Sequence, residues 1–500
     1  MELKTRHIIL IVLFTLYFSA RLFFSLQTPE FSSDYSYFAL RQIEHIQQTG
    51  LPLSDDLLSY GGRNFVVMPF YFYILAALTM FLPEIITIKI VNTLLASSLI
   101  AAMYLVCRKV LQNRRVSIIC SVVAATMPVY ISQTLNDISP LSLILPGSLF
   151  LLYLFLVLEK KRAIDYAILL SIVLALVSSS SFILLLGFIV YLILKYLDKH
   201  AISKARFEFT AFFLLFLLWI NIIVYKQAFQ EHSFSIVLRN LPQVLLDSYF
   251  ADLSIQKVIL GIGVFPFFFG LYTVSIYLFR KKSENILLFI SLFISAFGLL
   301  WFKVVEIEVA LAFLGIALAV LFGQALKSLR VYMKRTKFAK RAEMIFNILL
   351  VVLMISHIFP GVYLIYQESG KSFSTEYIEG FRWLANNTPE DSVVLALPEE
   401  GHLVAYFGKR KNVIDNDFLL VGDANERFND VLLFYTWRFK VPAVRVLEKY
   451  SVDYVIVSEK IKDYRITENL LKSESCFVPV YEGSITVYRN RWDKDVCSVI

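Results

Sequence analysis

The chain has 500 residues, 58% of them hydrophobic, and a mean hydropathy of +0.66. Soluble domains hold to roughly 45–50% apolar residues, so a soluble globular protein is excluded and much of this surface must face lipid. The net charge of +8 does not imply a nucleic-acid partner, because the Lys and Arg residues fall in short clusters between apolar runs, where they act as topology signals.

The first apolar run, 7–27, follows Lys4 and Arg6. It is long and lacks a small-x-small cleavage site, so it is expected to remain as an anchor. Further spans are read at 85–107, 116–134, 141–158, 163–179, 180–197, 207–228, 255–280, 285–302, 306–324 and 343–366, roughly eleven in all, each near the 17–25 residues a crossing needs. With the N-terminus inside, the inner loops are 108–115, 159–162, 195–206, 280–284 and 327–341, and each carries at least three Lys or Arg. The short outer loops carry almost none, which is the expected asymmetry.

That pattern holds only if the apolar stretch 65–82 does not cross. Its aromatic residues Phe65, Phe70, Tyr71, Phe72 and Tyr73 suit the outer headgroup level, as would a shallow re-entrant segment. An odd number of spans then puts the C-terminal part outside, on the same face as the long first loop, 28–84. The expected domains are a transmembrane part, 1–367, and an extracytoplasmic part, 368–500. After Gln367 the periodicity predicts a helix over 376–387, strands at 392–397, 412–414 and 453–457, and a helix near 441–450, which together read as a small α/β domain. Four cysteines are too few for a disulfide framework or a zinc site. Cys107 and Cys120 accompany membrane helices, while Cys476 and Cys497 share the C-terminal part as either a pair or two free thiols.

Two carboxylates stand at outer helix ends. Asp34, in Ser32-Ser33-Asp34-Tyr35, follows the first span, where it can reach a lipid headgroup or can simply cap a helix over 35–48. Asp137, in Leu135-Asn136-Asp137-Ile138-Ser139-Pro140, occupies the whole outer turn between two spans. Charges are costly at a membrane, so two acids at adjacent outer ends point to one functional site. The pair Asp55-Asp56 reads as a solvated turn. His357, inside a span, reads as an interhelical hydrogen bond. Asn386-Asn387-Thr388 fits a glycosylation acceptor, but its place before Pro389 favours a helix C-terminus.

These features resemble the membrane glycosyltransferases of the GT-C fold, which use polyprenyl-phosphate-linked sugars as donors. The likeness rests on Asp34 with its following aromatic residue, Ala39, Gly50-Leu51-Pro52, the run Pro69-Phe70-Tyr71-Phe72-Tyr73-Ile74-Leu75, and the Asp137 turn. The segment from Phe381 to Ala396, with Gly401-His402, Arg410, Val413-Ile414-Asp415-Asn416 and Val452-Asp453-Tyr454-Val455, is similar to the opening of the soluble domain of oligosaccharyltransferase catalytic subunits. Where those enzymes carry Trp-Trp-Asp-Tyr-Gly, this chain has Leu397-Pro398-Glu399-Glu400-Gly401. The acceptor is therefore either not a peptide sequon or is recognised by other means.

The resemblance implies an α-helical polytopic enzyme that transfers a sugar or oligosaccharide, with inversion, to an acceptor on the extracytoplasmic face of a cell envelope. Asp34 and Asp137 are the expected catalytic residues. Asp34 acts as general base, or the two together hold a divalent cation, magnesium or manganese, through oxygen ligands. The resemblance places Lys303 near the donor phosphate, though a snorkelling interfacial Lys fits that position as well; from their outer positions, Arg21 and Arg63 are weaker cationic candidates, and Glu231, on the outer loop 229–254, a third acid. The partners are then the lipid-linked donor and membrane lipid, with the acceptor open among protein, lipid and glycan. A non-catalytic lipid-binding or transport protein is the alternative. Transporters, however, put their carboxylates in broken helices at mid-membrane, and no nucleotide-binding glycine loop is present to support a nucleotide-sugar enzyme.

Overall fold

The computed structural model describes residues 2–160, 162–251, 253–280, 283–337, 339–436, 440–463 and 476–491. The chain divides into two compact units. One, the helical unit, comprises Met1–Gln27, Met68–Val224 and Tyr249–Lys371; the other, the sheet unit, comprises Thr28–Val67, Tyr225–Ser248 and Ser372–Ile500.

Seven helices of the helical unit are long and apolar enough to cross a membrane among the described residues, or nine if each of two bent pairs counts as one span. The count of eleven is not reached. Leu141–Leu156 and Ala163–Val177, read as spans from the sequence, are 16 and 15 residues long, short of the roughly 17–25 that a crossing takes. The 255–280 span is also not one rod. Ile255–Ile262 and Val264–Phe279 meet at 100°, because Gly263 sits at φ 104° and a Cβ there would lie 2.4 Å from His357 Cε1. Only glycine accepts both that backbone and that approach.

The apolar run near residue 70 folds as the helix Phe70–Thr79, ten residues long, or about 15 Å, half of a hydrocarbon core. On either side of it the chain returns to one level, since Lys89 Nζ, near the start of Glu84–Ser97, donates to the carbonyl of Ser25 at the end of Glu2–Leu26 at 2.8 Å. Basic loops are tied by shared carboxylates: Glu284 takes Lys195 at 3.1 Å and Arg206 at 3.6 Å, and Glu343 takes Arg330 at 2.7 Å, Lys334 at 2.9 Å and Arg115 at 3.8 Å. Each of these groups joins residues in or beside loops that the charge pattern assigns to one face. His357 is bonded across helices, its Nε2 standing 3.0 Å from the Val123 carbonyl.

The sheet unit carries a five-stranded sheet in the order Lys411–Asn412, Val393–Leu395, Tyr454–Ser458, Ile485–Asn490, Phe477–Glu482. The first three strands are parallel and the last two form an antiparallel hairpin. The three predicted strands are present, and Thr375–Asn387 and Lys440–Lys449 are helical where expected. The helix Ala424–Thr436 and the final hairpin were not foreseen. Apolar side chains from the strands and from the two helices Ala424–Thr436 and Lys440–Lys449 form the core of this unit, in which Leu395, Val431, Leu447, Val455 and Phe477 are buried. Thr388 ends its helix by donating its hydroxyl to Leu384 O at 2.6 Å, as the helix-terminus reading required. Cys497, and with it the pairing with Cys476, lies outside the described residues.

The first loop is built into this unit. Tyr60 N donates to Asn412 O at 2.8 Å and Asn412 N to Leu58 O at 2.9 Å, so residues 58–60 extend the sheet edge. Arg41 and Asp56 form a buried ion pair at 2.5 Å, which corrects the reading of Asp55-Asp56 as a solvated turn: Asp55 is exposed, but Asp56 is enclosed.

Candidate active site

Asp34 opens the helix Asp34–Thr49, but it is not the cap. Ser33 holds extended φ/ψ and its hydroxyl accepts from Ser36 N at 3.3 Å, so the capping job belongs to Ser33. The Asp34 carboxylate instead accepts two backbone N–H groups, Leu403 at 3.0 Å and His402 at 3.3 Å. Both donors come from the short helical turn that follows the strand Val393–Leu395. Asp34 is 7% exposed. Burial, then the negative charge of Asp415, pushes its carboxyl well above the usual range, against the opposing effect of the two N–H donors and Lys460.

Asp415 has the opposite fate. Burial pushes it up as well, but the Arg63 guanidinium, with His402 beside it, prevails and holds it down to about 2. Arg63 Nη2 donates to the Asp415 carboxylate and Nη1 to the carbonyl of Asp417, while the guanidinium lies 4.2 Å from the Phe65 ring centroid. His402 Nδ1 stands 3.7 Å from Asp415 Oδ2 and makes no hydrogen bond; burial lowers its pKa, against the charge of Asp415, which raises it. Gly401 permits this closeness, since a Cβ there would come within 2.4 Å of Asp415 Cβ. Two carboxyl groups are thereby pushed apart in acidity by their surroundings, a pattern that separates proton-accepting from purely ionic roles.

The sequence reading missed His402 and Asp415 as site residues. The signal was available: Asp415 follows a strand of the parallel part of the sheet, and such sheets present their ligand-facing residues at the carboxyl ends of strands. The substituted segment 397–401 is not an open platform either. Residues Pro398–Glu400 form a 3-10 turn, and Glu400 is buried and accepts from the Tyr377 hydroxyl.

Asp137 lies in the helical unit, half-buried on its turn. Around that turn, Asn136 adopts a left-handed φ of 52° and its Oδ1 accepts from the Ser25 hydroxyl at 3.3 Å. Arg21 is fully enclosed and donates to Thr134 Oγ1 at 2.7 Å and to the Tyr17 hydroxyl at 3.0 Å. The structure thus brings Arg21 and the Asp137 turn together. Lys303 follows the helix Glu284–Trp301 at φ 56°, exposed, with Nζ 5.1 Å from the Phe250 ring. Glu308 accepts from the Tyr249 hydroxyl at 2.5 Å.

Two candidates have other occupations. Arg63 is committed to Asp415 and Asp417. Glu231 is exposed on the helix Lys226–His232 and accepts from Gln227, one turn earlier, at 2.9 Å. Among the described residues no group of three or more His, Cys, Asp or Glu is placed to hold a metal ion.

Neither a protein-family model nor a curated protein matches the chain. Its structure is similar to the archaeal oligosaccharyltransferase AglB from Archaeoglobus fulgidus, solved with an inhibitory peptide and a dolichol-phosphate, with a TM-score of 0.67 at 15% identity over 96% of this chain and 74% of that one. It is also similar to ArnT from Cupriavidus metallidurans, solved with undecaprenyl phosphate, with a TM-score of 0.59 at 12% identity over 97% of this chain and 98% of that one. The likeness shows that the chain has the GT-C fold, an α-helical membrane protein with a small C-terminal sheet domain.

Proposed function

We propose that this chain is an integral membrane glycosyltransferase that moves a sugar from a polyprenyl-phosphate-linked donor to an acceptor on the extracytoplasmic face. The observation that carries this reading is Asp34, a carboxylate placed directly after the first apolar helix, buried, pinned by two backbone N–H groups and lifted above its ordinary acidity. It stands in a fold whose neighbours AglB and ArnT were solved with lipid phosphates.

The reaction is a single displacement. The acceptor oxygen bonds to the anomeric carbon, the bond from that carbon to the phosphate oxygen breaks, and the electron pair leaves with the phosphate. The acceptor proton goes to Asp34, which burial and Asp415 make a stronger base than an ordinary carboxylate. Charge grows on the departing phosphate, so cationic groups are needed there. We assign that task to Lys303; Arg21, fully enclosed and bonded to Thr134 and Tyr17, we assign to bracing the Asp137 turn, and Arg63 to holding Asp415.

A second reading of Asp34 is supported by the A. fulgidus oligosaccharyltransferase, which was also solved with zinc and sulfate, with a TM-score of 0.64 at 15% identity to this chain. An ionised carboxylate offers about four lone-pair sites, of which Asp34 spends two on backbone donors. Magnesium is commonly held by one or two carboxylates and completes its shell with phosphate oxygens and water, so Asp34 and Asp137 are each candidate protein ligands. When bound, the cation would neutralise the leaving phosphate. The basic clusters support an N-terminus in the cytoplasm, and a division into a transmembrane part, 1–367, and an extracytoplasmic part, 368–500, would have to count the outer segments 28–67 and 225–248 with the latter, since they fold into the sheet unit.

The test is transfer of radiolabelled sugar from a panel of polyprenyl phosphates and pyrophosphates into membranes carrying the wild type or Asp34→Asn, with and without EDTA. Loss of at least about 100-fold in the folded variant supports the enzyme. EDTA sensitivity selects the cation reading, and insensitivity the base. A well-expressed wild type that transfers from no donor sinks the proposal.

A further inference from the structure

The Asp137 turn is held by side chains from neighbouring helices, and one of them, Asn92, spends both of its amide hydrogens there. Asn92 lies on Glu84–Ser97 and is 3% exposed. Its Nδ2 donates to the Asp137 carbonyl at 2.5 Å and to the Thr134 carbonyl at 3.2 Å, the two shoulders of the turn. Its Oδ1 accepts from the Tyr71 hydroxyl at 2.8 Å, and that hydroxyl also meets Ser142 Oγ at 3.3 Å. Tyr71 therefore fixes which way the amide faces: with the oxygen taken by a donor, only the nitrogen can face the carbonyls.

This gives a purpose to two features that the donor chemistry leaves unused. The short helix Phe70–Thr79, too short to cross, delivers the Tyr71 hydroxyl. The left-handed Asn136, a conformation that non-glycine residues adopt at a cost, is retained because the turn on either side of it is gripped by Asn92 and its own side chain by Ser25. A carbonyl fixed at residue 137 fixes the Cα of the same residue, and with it the origin of the carboxylate.

We propose that Asn92, oriented by Tyr71, is the positioning residue of Asp137. It touches no reacting atom; it holds the turn so that the Asp137 carboxylate is presented in one place. The inference rests on the reading of Asp137 as a working carboxylate. A misplacement of the order of 1 Å at a working group costs up to about 100-fold in rate, so the grip is expected to matter to turnover as well as to stability.

The experiment compares transfer rates, donor KM and unfolding midpoints of the full-length detergent-solubilised protein for the wild type, Asn92→Leu, Tyr71→Phe, Asp137→Asn and Asn92→Leu/Asp137→Asn. The expected results are a kcat lowered about 10- to 100-fold by Asn92→Leu with little change in KM, a lowered midpoint because the Thr134 and Asp137 carbonyls and the Tyr71 hydroxyl lose their partner, and a smaller loss of rate for Tyr71→Phe. The double variant should be no slower than Asp137→Asn alone, because a residue that acts only through Asp137 has nothing left to act on. Asn92→Leu within about twofold of the wild type, or a double variant slowed by the full factor of each single one, overturns the inference. Full activity in Asp137→Asn instead overturns the reading of Asp137 itself, and is told apart by that variant alone.

Discussion

Asp34 and Asp137 reach comparable definition by different means. In the sheet unit, Asp34 is held directly: backbone N–H groups of His402 and Leu403 bond to its carboxylate, and burial with Asp415 sets its acidity. In the helical unit, the contacts gather on the backbone and flanking side chains of the Asp137 turn, through Asn92, Arg21 and Ser25. Direct bonds to a carboxylate tune its proton affinity. A grip on the surrounding turn sets where the carboxylate is presented. The comparison teaches that the first site should respond to changes in charge and the second to changes in shape.

The largest expected effect comes from removing the cation that pairs with Asp415. Arg63→Leu leaves Asp415 buried without its partner, a loss of about 3–5 kcal/mol, visible as a lower denaturant midpoint and as lost transfer. Arg63→Leu/Asp415→Asn removes both charges and should recover part of that stability. If the double variant is as unstable as the single one, the pair is not what holds the site.

A subtler break concerns acidity. Transfer is expected to rise with pH as Asp34 gives up its proton, with a midpoint above the ordinary carboxylate range of about 4. Asp415 raises the Asp34 pKa, so Asp415→Asn should move that rising limb to lower pH. Stability runs the opposite way for the two acids. Asp415, held down to about 2, contributes above its unfolded value and loses that contribution as pH falls toward about 2. Asp34, held up, contributes at low pH and loses it as pH rises through its folded pKa. A rising limb that stays in place in Asp415→Asn would detach the two groups.

Much of this was legible in the sequence because it is local. Apolar runs with basic flanks marked the helices, and β-branched runs marked three strands. The hairpin 477–490 was missed, although the Gly483-Ser484 pair between its strands is a two-residue turn signal. The bend at Gly263 was not legible, since it depends on His357, far along the chain. Asp34 and Asp137 were singled out because charge at a helix end beside a membrane is conspicuous. Their partners were hidden: Asp34 bonds to residues 368 and 369 positions away, and Asp56 passed for a surface residue because its partner, Arg41, carried no mark of burial.

Smaller effects separate the two jobs at the first helix of the sheet unit. Ser33 caps it and Asp34 does not, so Ser33→Ala should cost about 1 kcal/mol of stability while leaving the pH midpoint of transfer unchanged. Thermal unfolding and the pH–rate curve of the same preparation check both halves. A shifted midpoint would mean that the cap also tunes the carboxylate.

The smallest effect belongs to Glu231. Its partner is Gln227 on its own helix, and exposed pairs of this kind contribute about 0.2–0.5 kcal/mol. Glu231→Gln keeps the size and an oxygen acceptor but removes the charge. If Asp34 and Asp137 carry the chemistry as proposed, transfer by this variant should stay within about twofold of the wild type, a difference of roughly 0.4 kcal/mol in barrier. The adjacent His232 helps to bind the loop down, its Nε2 accepting from Leu420 N at 3.1 Å, as does Ala228, packed against Leu419 and Leu420. A loss in Glu231→Gln comparable to that in Asp34→Asn would show that exposure in this structure conceals a third working acid, and the contrast between one tuned and one positioned carboxylate would have to admit a group that is neither.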